Sequence, residues 1–149
     1  MKCVSRFAFA MYVSVLASGL VGCGGADSLP APVERLPGKS QGQMIVYEDQ
    51  VTGKLPPEKI AELSALKMGF EFQTDGSMVL SGVNNGQAYS AAGRWEVVNQ
   101  EGDLLTIKST EETGETKNVN IEFDGSDTFF IPLKTEVAEL GAMRFTRMR

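Results

Sequence analysis

The chain has 149 residues, 42% hydrophobic and 22% charged, a balance that suits one domain of ordinary size and excludes wholesale disorder, collagen and a polytopic membrane protein. Its formal net charge of −5 argues against a nucleic-acid partner, because the phosphate backbone rewards clustered Lys and Arg. It has no histidine, which removes His-dependent triads, His metal sites and the usual neutral-pH general base together.

Lys2 and Arg6 open the chain, and residues 7–21 follow as an uncharged, mostly apolar stretch of 15 residues. A basic start, an apolar run and a small residue before a cut form the plan of a secretory signal over residues 1–22. Fifteen falls short of the roughly 20 residues that a spanning helix needs, and Ser14, Ser18 and Gly19 dilute the run further. Its last residues, Leu20-Val21-Gly22-Cys23, resemble the lipobox of bacterial lipoproteins at all four positions. There the cysteine thiol is alkylated with a diacylglycerol and the signal is cut just before it. The resemblance implies a lipidated Cys23, palmitate-type acyl chains and a place in the cell envelope, in the inner or the outer membrane. A conventional signal cut or an uncleaved helix are the other readings. Cysteine use agrees with lipidation: Cys3 leaves with the signal, so Cys23 is left without a disulfide partner.

Each buried acyl methylene contributes about 0.8 kcal/mol, so two or more chains hold a protein stably on a bilayer. Without Lys2 and Arg6 the chain keeps 12 basic against 19 acidic side chains, a formal charge of −7. Attraction to an anionic bilayer is then a poor tether, and the acyl chains on Cys23 must hold the protein to its membrane.

Residues 23–43 combine the lipidated cysteine with Gly24, Gly25, Pro30, Pro32, Pro37, Gly38 and Gly42, show no helical or strand period, and read as a flexible linker. The folded domain is expected over residues 44–149, long enough to bury a core without staples. Residues 44–48 are β-prone and predict a first strand. Over residues 54–66, Pro56 and Pro57 suit a helix start, and Ile60, Leu63 and Leu66 share one face, predicting one short amphipathic helix laid on the sheet.

Beyond Lys67 the period changes to two. Met68, Phe70 and Phe72 alternate with polar or small residues before the turn at Asp75-Gly76. A strand over 78–83 ends at Asn84-Asn85-Gly86, the strongest hairpin signal in the chain. A short weak strand over 87–91 and another over 93–98 follow, the latter with Trp95 and Val97 on one face. After the turn at Glu101-Gly102-Asp103, Leu105 and Ile107 lie together. Val119, Ile121 and Phe123 alternate beyond the acidic tip at Glu111 to Glu115, and strands over 128–133 and 142–148 follow the turn around Gly125. About eight strands joined by hairpins describe an antiparallel up-and-down meander, and closure into a small barrel removes its edges.

The segments Phe70-Glu71-Phe72-Gln73-Thr74-Asp75-Gly76, Gly93-Arg94-Trp95-Glu96-Val97, Gly102-Asp103-Leu104-Leu105-Thr106-Ile107 and Ile121-Glu122-Phe123-Asp124-Gly125-Ser126-Asp127-Thr128 resemble bacterial lipocalin-like lipoproteins of unknown function, planctomycete type. That resemblance implies a lipocalin-like barrel over most of residues 44–149 and carries over no catalytic residue.

The inward residues are expected to be Phe70, Phe72, Met78, Leu80, Trp95, Val97, Leu105, Ile107, Val119, Ile121, Phe123, Met143 and Phe145. Of these, Phe70, Phe72, Trp95, Ile107, Phe123 and Phe145 are the ligand-binding candidates, for a barrel of eight strands either holds a small lipophile or fills with its own side chains. Trp95 reads as a core residue, a ligand platform, or the seat of a cation from Arg144 or Arg147. The acids Glu111, Glu112 and Glu115, and Asp124 with Asp127, offer oxygen ligands but match no calcium loop, and turn chemistry alone selects Asp there. No nucleophile elbow, phosphate loop or Ser-x-x-Lys motif occurs. The expectation is a non-catalytic envelope lipoprotein without metal or cofactor that binds a small lipophile or an envelope protein. A filled-core interaction protein and a hydrolase relying on carboxylates are the alternatives.

Overall fold

A computed structural model of the chain describes residues 29–149, apart from Asn85 and Val137. The signal segment 1–22, Cys23 and the start of the expected linker lie outside the described residues. Eight antiparallel strands follow one another around a closed barrel: β1 (Gly38–Val46), β2 (Lys67–Phe72), β3 (Ser77–Asn84), β4 (Gln87–Glu101), β5 (Leu104–Glu111), β6 (Thr116–Asp124), β7 (Thr128–Lys134) and β8 (Glu139–Arg147). Each strand pairs with the next, and β8 returns to β1 through seven register pairs from Ser40↔Arg147 to Val46↔Gly141. The mainly β meander closing into a barrel is therefore the fold the chain adopts.

Three short helices are described, not the single one expected: α1 (Pro32–Arg35), α2 (Glu48–Val51) and α3 (Pro57–Ser64). The odd-numbered strands all begin at one end of the barrel. That end carries α1, the β4–β5 turn with Asp103, the β6–β7 turn with Gly125, and the last residues of the chain. The opposite end carries the β1–β2 connection with α3, the β3–β4 hairpin and the β5–β6 turn. Pro57 starts α3 as its first residue, and Leu63 and Leu66 pack against the barrel core. Val51 of α2 and Ala142 of β8 are both buried, and α2 contacts β8.

The linker boundary at residue 43 is corrected by the structure. The ordered chain already includes α1, and β1 begins at Gly38, six positions before the expected domain start. This strand escaped notice because its inward positions are Ser40 and Gly42 before Met44, so no apolar alternation marks it. Gly42 is small for a reason: a Cβ there would run into the Phe145 ring on the neighbouring strand. The expected first strand over 44–48 is the end of β1, and Glu48 starts α2. The two strands expected over 87–91 and 93–98 are one strand, β4, with a bulge between Val97 and Asn99.

Pairing around the barrel is uneven. Strand β5 is paired along its length on both sides, whereas β6 and β7 share three register pairs, Glu122↔Phe130, Phe123↔Phe129 and Asp124↔Thr128. Strand β4 pairs with β3 only up to Arg94, so its second half has no β3 neighbour. Val97 was expected to point inward into the core, but it is 44% exposed for that reason.

Candidate functional site

The six ligand-binding candidates belong to one interior cluster. Phe72, Ile107, Phe123 and Phe145 are buried, while Phe70 and Trp95 are half-buried at its margins. The five aromatic candidates, joined by Phe129, form a continuous chain of rings across the barrel. Trp95 meets Phe72 edge-on at 5.8 Å, Phe72 stacks on Phe70 at 5.0 Å, and Phe70 meets Phe145 edge-on at 5.2 Å. Phe145 then stacks on Phe129 at 5.0 Å, and Phe129 contacts Phe123 at 5.6 Å. Centroid separations of this size are ring-to-ring contact. Between them pack Leu105, Ile107, Ile121 and Met143, each no more than 2% exposed.

The chain of rings ends on a cation, from an unexpected residue. The Arg35 guanidinium lies over the Phe123 ring at 4.6 Å, donates to the Gly125 carbonyl at 2.7 Å and pairs with the Asp103 carboxylate at 2.5 Å. Arg35 is 5% exposed although it stands in the segment expected to be a linker, and its Nε is buried without a partner. Arg147 clamps the same segment from the last strand, donating to the backbone carbonyls of Arg35 and Pro37. Of the three readings of Trp95, the structure shows the core residue, packed against the interior cluster. The Trp95 indole N–H is shared between the Gln73 and Ser77 carbonyls, both at 3.1 Å, and its ring packs on Phe72.

Phe129 and Leu36 were also missed as core residues. Phe129 is followed by Phe130, so the pair has no parity to read, and only the register with Phe123 and Phe145 places Phe129 inside. Leu36 is buried directly after α1, and no periodic signal surrounds it.

Clefts lie on the outside of the barrel. One of about 600 Å³ opens between α3 and the β3–β4 hairpin and is lined by Lys59, Glu62, Leu63, Leu66, Lys67 and Val83 among others. A second of about 470 Å³ crosses β8, β1 and the start of β2, where Gln43 has Lys67 as register partner on one side and Arg144 on the other. A third of about 450 Å³ continues from Gln41 and Lys67 over Gly69 and Ser81 to Tyr89. Among the described residues neither Lys67 nor Arg144 has an ion-pair partner.

The acidic turns are occupied by nearby cations. Lys117 pairs with Glu115 at 2.7 Å and with Glu111 at 3.9 Å, and the hydrogen bond to Glu115, then its charge, pushes the ammonium pKa up. Asp127 binds Arg149 at 2.6 Å. Asp75 accepts from both the backbone N–H and the hydroxyl of Ser77, which hold its carboxyl below the usual carboxylate range. Among the described residues no three His, Cys, Asp or Glu side chains gather as a metal-ligand set, and no helix is long and apolar enough to cross a membrane.

No family model matches the chain, and no curated protein matches it at a significant level. Among solved structures it is similar to a redesigned β-barrel, at 14% identity and a TM-score of 0.50, over 82% of this chain and 99% of that one. At that identity the likeness is one of fold: a closed barrel of eight antiparallel strands.

Proposed function

We propose that the protein is a lipid-anchored lipoprotein of the cell envelope whose non-catalytic barrel works through its outer surface, on an envelope partner, rather than by carrying a lipophile inside. The observation that carries this reading is the unbroken run of ring contacts from Trp95 to Phe123 with the Arg35 cation over its end. A lipophile seated at that level must displace rings that already touch one another, which forfeits the contacts it would need to replace. Anchoring through Cys23 is supported by Leu20-Val21-Gly22-Cys23 directly after an apolar run, and by the resemblance of the hairpin segments to lipocalin-like lipoproteins. The furrow flanked by Lys67 and Arg144 supports an acidic partner, because neither cation has an ion-pair partner among the described residues and the chain is of negative net charge.

Native mass spectrometry of the chain purified from its host membranes in mild detergent tests the filled interior. A bare protein mass beyond the Cys23 adduct is expected, and a second, near-stoichiometric lipophilic mass overturns this reading. Metabolic labelling with palmitate, lost in Cys23→Ala, tests the anchor separately. Photo-cross-linking from Gln43 is expected to capture an acidic envelope component, with weaker yield in Arg144→Glu.

A further inference from the structure

We propose that the barrel stands on its membrane in one orientation, with the α1 end against the lipid headgroups and the α3 end directed away. The inference rests on the lipid anchor at Cys23 proposed above and adds what the fold does with that anchor.

The tether is much shorter than the sequence pattern implied. A linker running to residue 43 would let the domain tumble freely, but the chain is already fixed at Pro32, which is buried and opens α1. Arg35, three residues on, is held by the Gly125 carbonyl, Asp103 and the Phe123 ring, and the Arg147 side chain bonds the backbone on either side of Leu36. Eight residues, 24–31, separate Cys23 from Pro32, so nine Cα-to-Cα steps give a reach of at most about 32 Å whatever their conformation.

That reach works against inversion of the barrel. A nine-residue strand such as β8, tilted as strands of small barrels are, gives a height of about 23 Å. Helix α3, whose Leu63 packs on the core at the far end, adds a layer of about 10 Å. Laying that end on the bilayer would require the tether to run the whole height, about 33 Å, which takes its full extension and all of its conformational entropy. With the α1 end down, the same eight residues need span almost nothing.

The side chains at the α1 end fit this contact. Leu29 is 52% exposed just before α1, Met148 is 58% exposed after β8, and Leu104 stands exposed beside the Asp103 turn. Some of the charge there is met within the molecule, Arg35 by Asp103, Arg149 by Asp127 and Arg147 by backbone carbonyls, while Glu34, Glu101 and Asp124 have no ion-pair partner among the described residues. A surface of this kind meets the headgroup region through apolar side chains and offers no excess of cations, so anionic lipid does not strengthen the contact.

The test uses the full acylated chain with single-cysteine labels, Ser126→Cys in the β6–β7 turn at the α1 end and Thr113→Cys in the β5–β6 turn at the opposite end. Each carries an environment-sensitive fluorophore and is reconstituted in phosphatidylcholine vesicles containing a headgroup nitroxide lipid. Quenching severalfold stronger at position 126 than at 113 is expected in phosphatidylcholine, with no increase when anionic phosphatidylglycerol is included. Equal quenching, or stronger quenching at 113, overturns the orientation. Inserting about ten Gly-Ser residues after position 28 is expected to bring the two positions close to equality; a difference that survives the insertion overturns the tether argument. Mass analysis of the N-terminal peptide keeps the two readings apart. An unacylated Cys23 sinks the anchor, whereas an acylated chain with equal quenching sinks only the orientation.

Discussion

Arg35 shows how one side chain decides where a domain begins. A buried guanidinium is costly unless its donors are used and its charge is met, and here a carbonyl, a carboxylate and a ring face do so together. Asp103 is 64% exposed, so the ion pair itself contributes little, and most of the stabilisation lies in the Gly125 bond and the Phe123 contact. A charge-assisted hydrogen bond contributes about 1.5–3 kcal/mol and a cation over a ring about 0.5–2 kcal/mol. Arg35→Ala is therefore expected to destabilise the barrel by roughly 2–4 kcal/mol, with a fall in Tm of about 10 °C by calorimetry, and Asp103→Asn by less than about 1 kcal/mol. Equal effects would mean that the ion pair dominates. Asp75 gives a pH-dependent counterpart. Its folded pKa is depressed by the two Ser77 bonds, so its contribution is present above the unfolded value and is lost as pH falls through the folded one. The Tm difference between the native chain and Ser77→Ala should accordingly be larger at pH 7 than in acid below the folded value, and a constant difference would remove Asp75 from the account.

At the scale of elements, what was legible depended on whether a strand's inward positions are large. Strands β2 and β6 present Met68, Phe70 and Phe72, and Val119, Ile121 and Phe123, on alternate positions, and both were readable with their turns at Gly76 and Gly125. Strand β1 is built the other way: Gly42 leaves the space that Phe145 occupies, so the information about its core position resides on β8, a hundred residues away in sequence. The same applies to the ring chain, whose five aromatic candidates were individually readable while Phe129 and the Arg35 cap depend on register between distant strands. Register also predicts dynamics. Strand β5 is bonded on both sides over residues 104–110, whereas residues 116–121 of β6 are bonded to β5 only. Amides on the unpaired side open to water without breaking the barrel. Hydrogen exchange followed by mass spectrometry should show a 104–110 peptide protected almost throughout and a 116–121 peptide with about half its amides exchanging early. Equal protection would indicate that β6 and β7 are zipped further than their three register pairs.

For the whole molecule, closure depends on β1, because it alone joins β2 to β8 and turns a meander with two open edges into a barrel without any. A chain beginning at Leu29 retains α1, the Arg35 cap and all of β1. A chain beginning at Met44, where composition placed the domain boundary, keeps only the last three residues of β1 and loses every pair with β2 from Gly38↔Phe72 to Gln43↔Lys67. It also uncovers Phe145, whose ring fills the space over Gly42, and Phe123, whose ring faces Arg35. Strands β2 and β8 then present unpaired backbone beside an exposed aromatic core, the combination that templates aggregation. The longer chain is expected to elute as a folded monomer with one cooperative thermal transition, and the shorter one as aggregate without a transition. A folded monomer starting at Met44 would show instead that strands β2 to β8 carry the fold and that β1 is an attached edge.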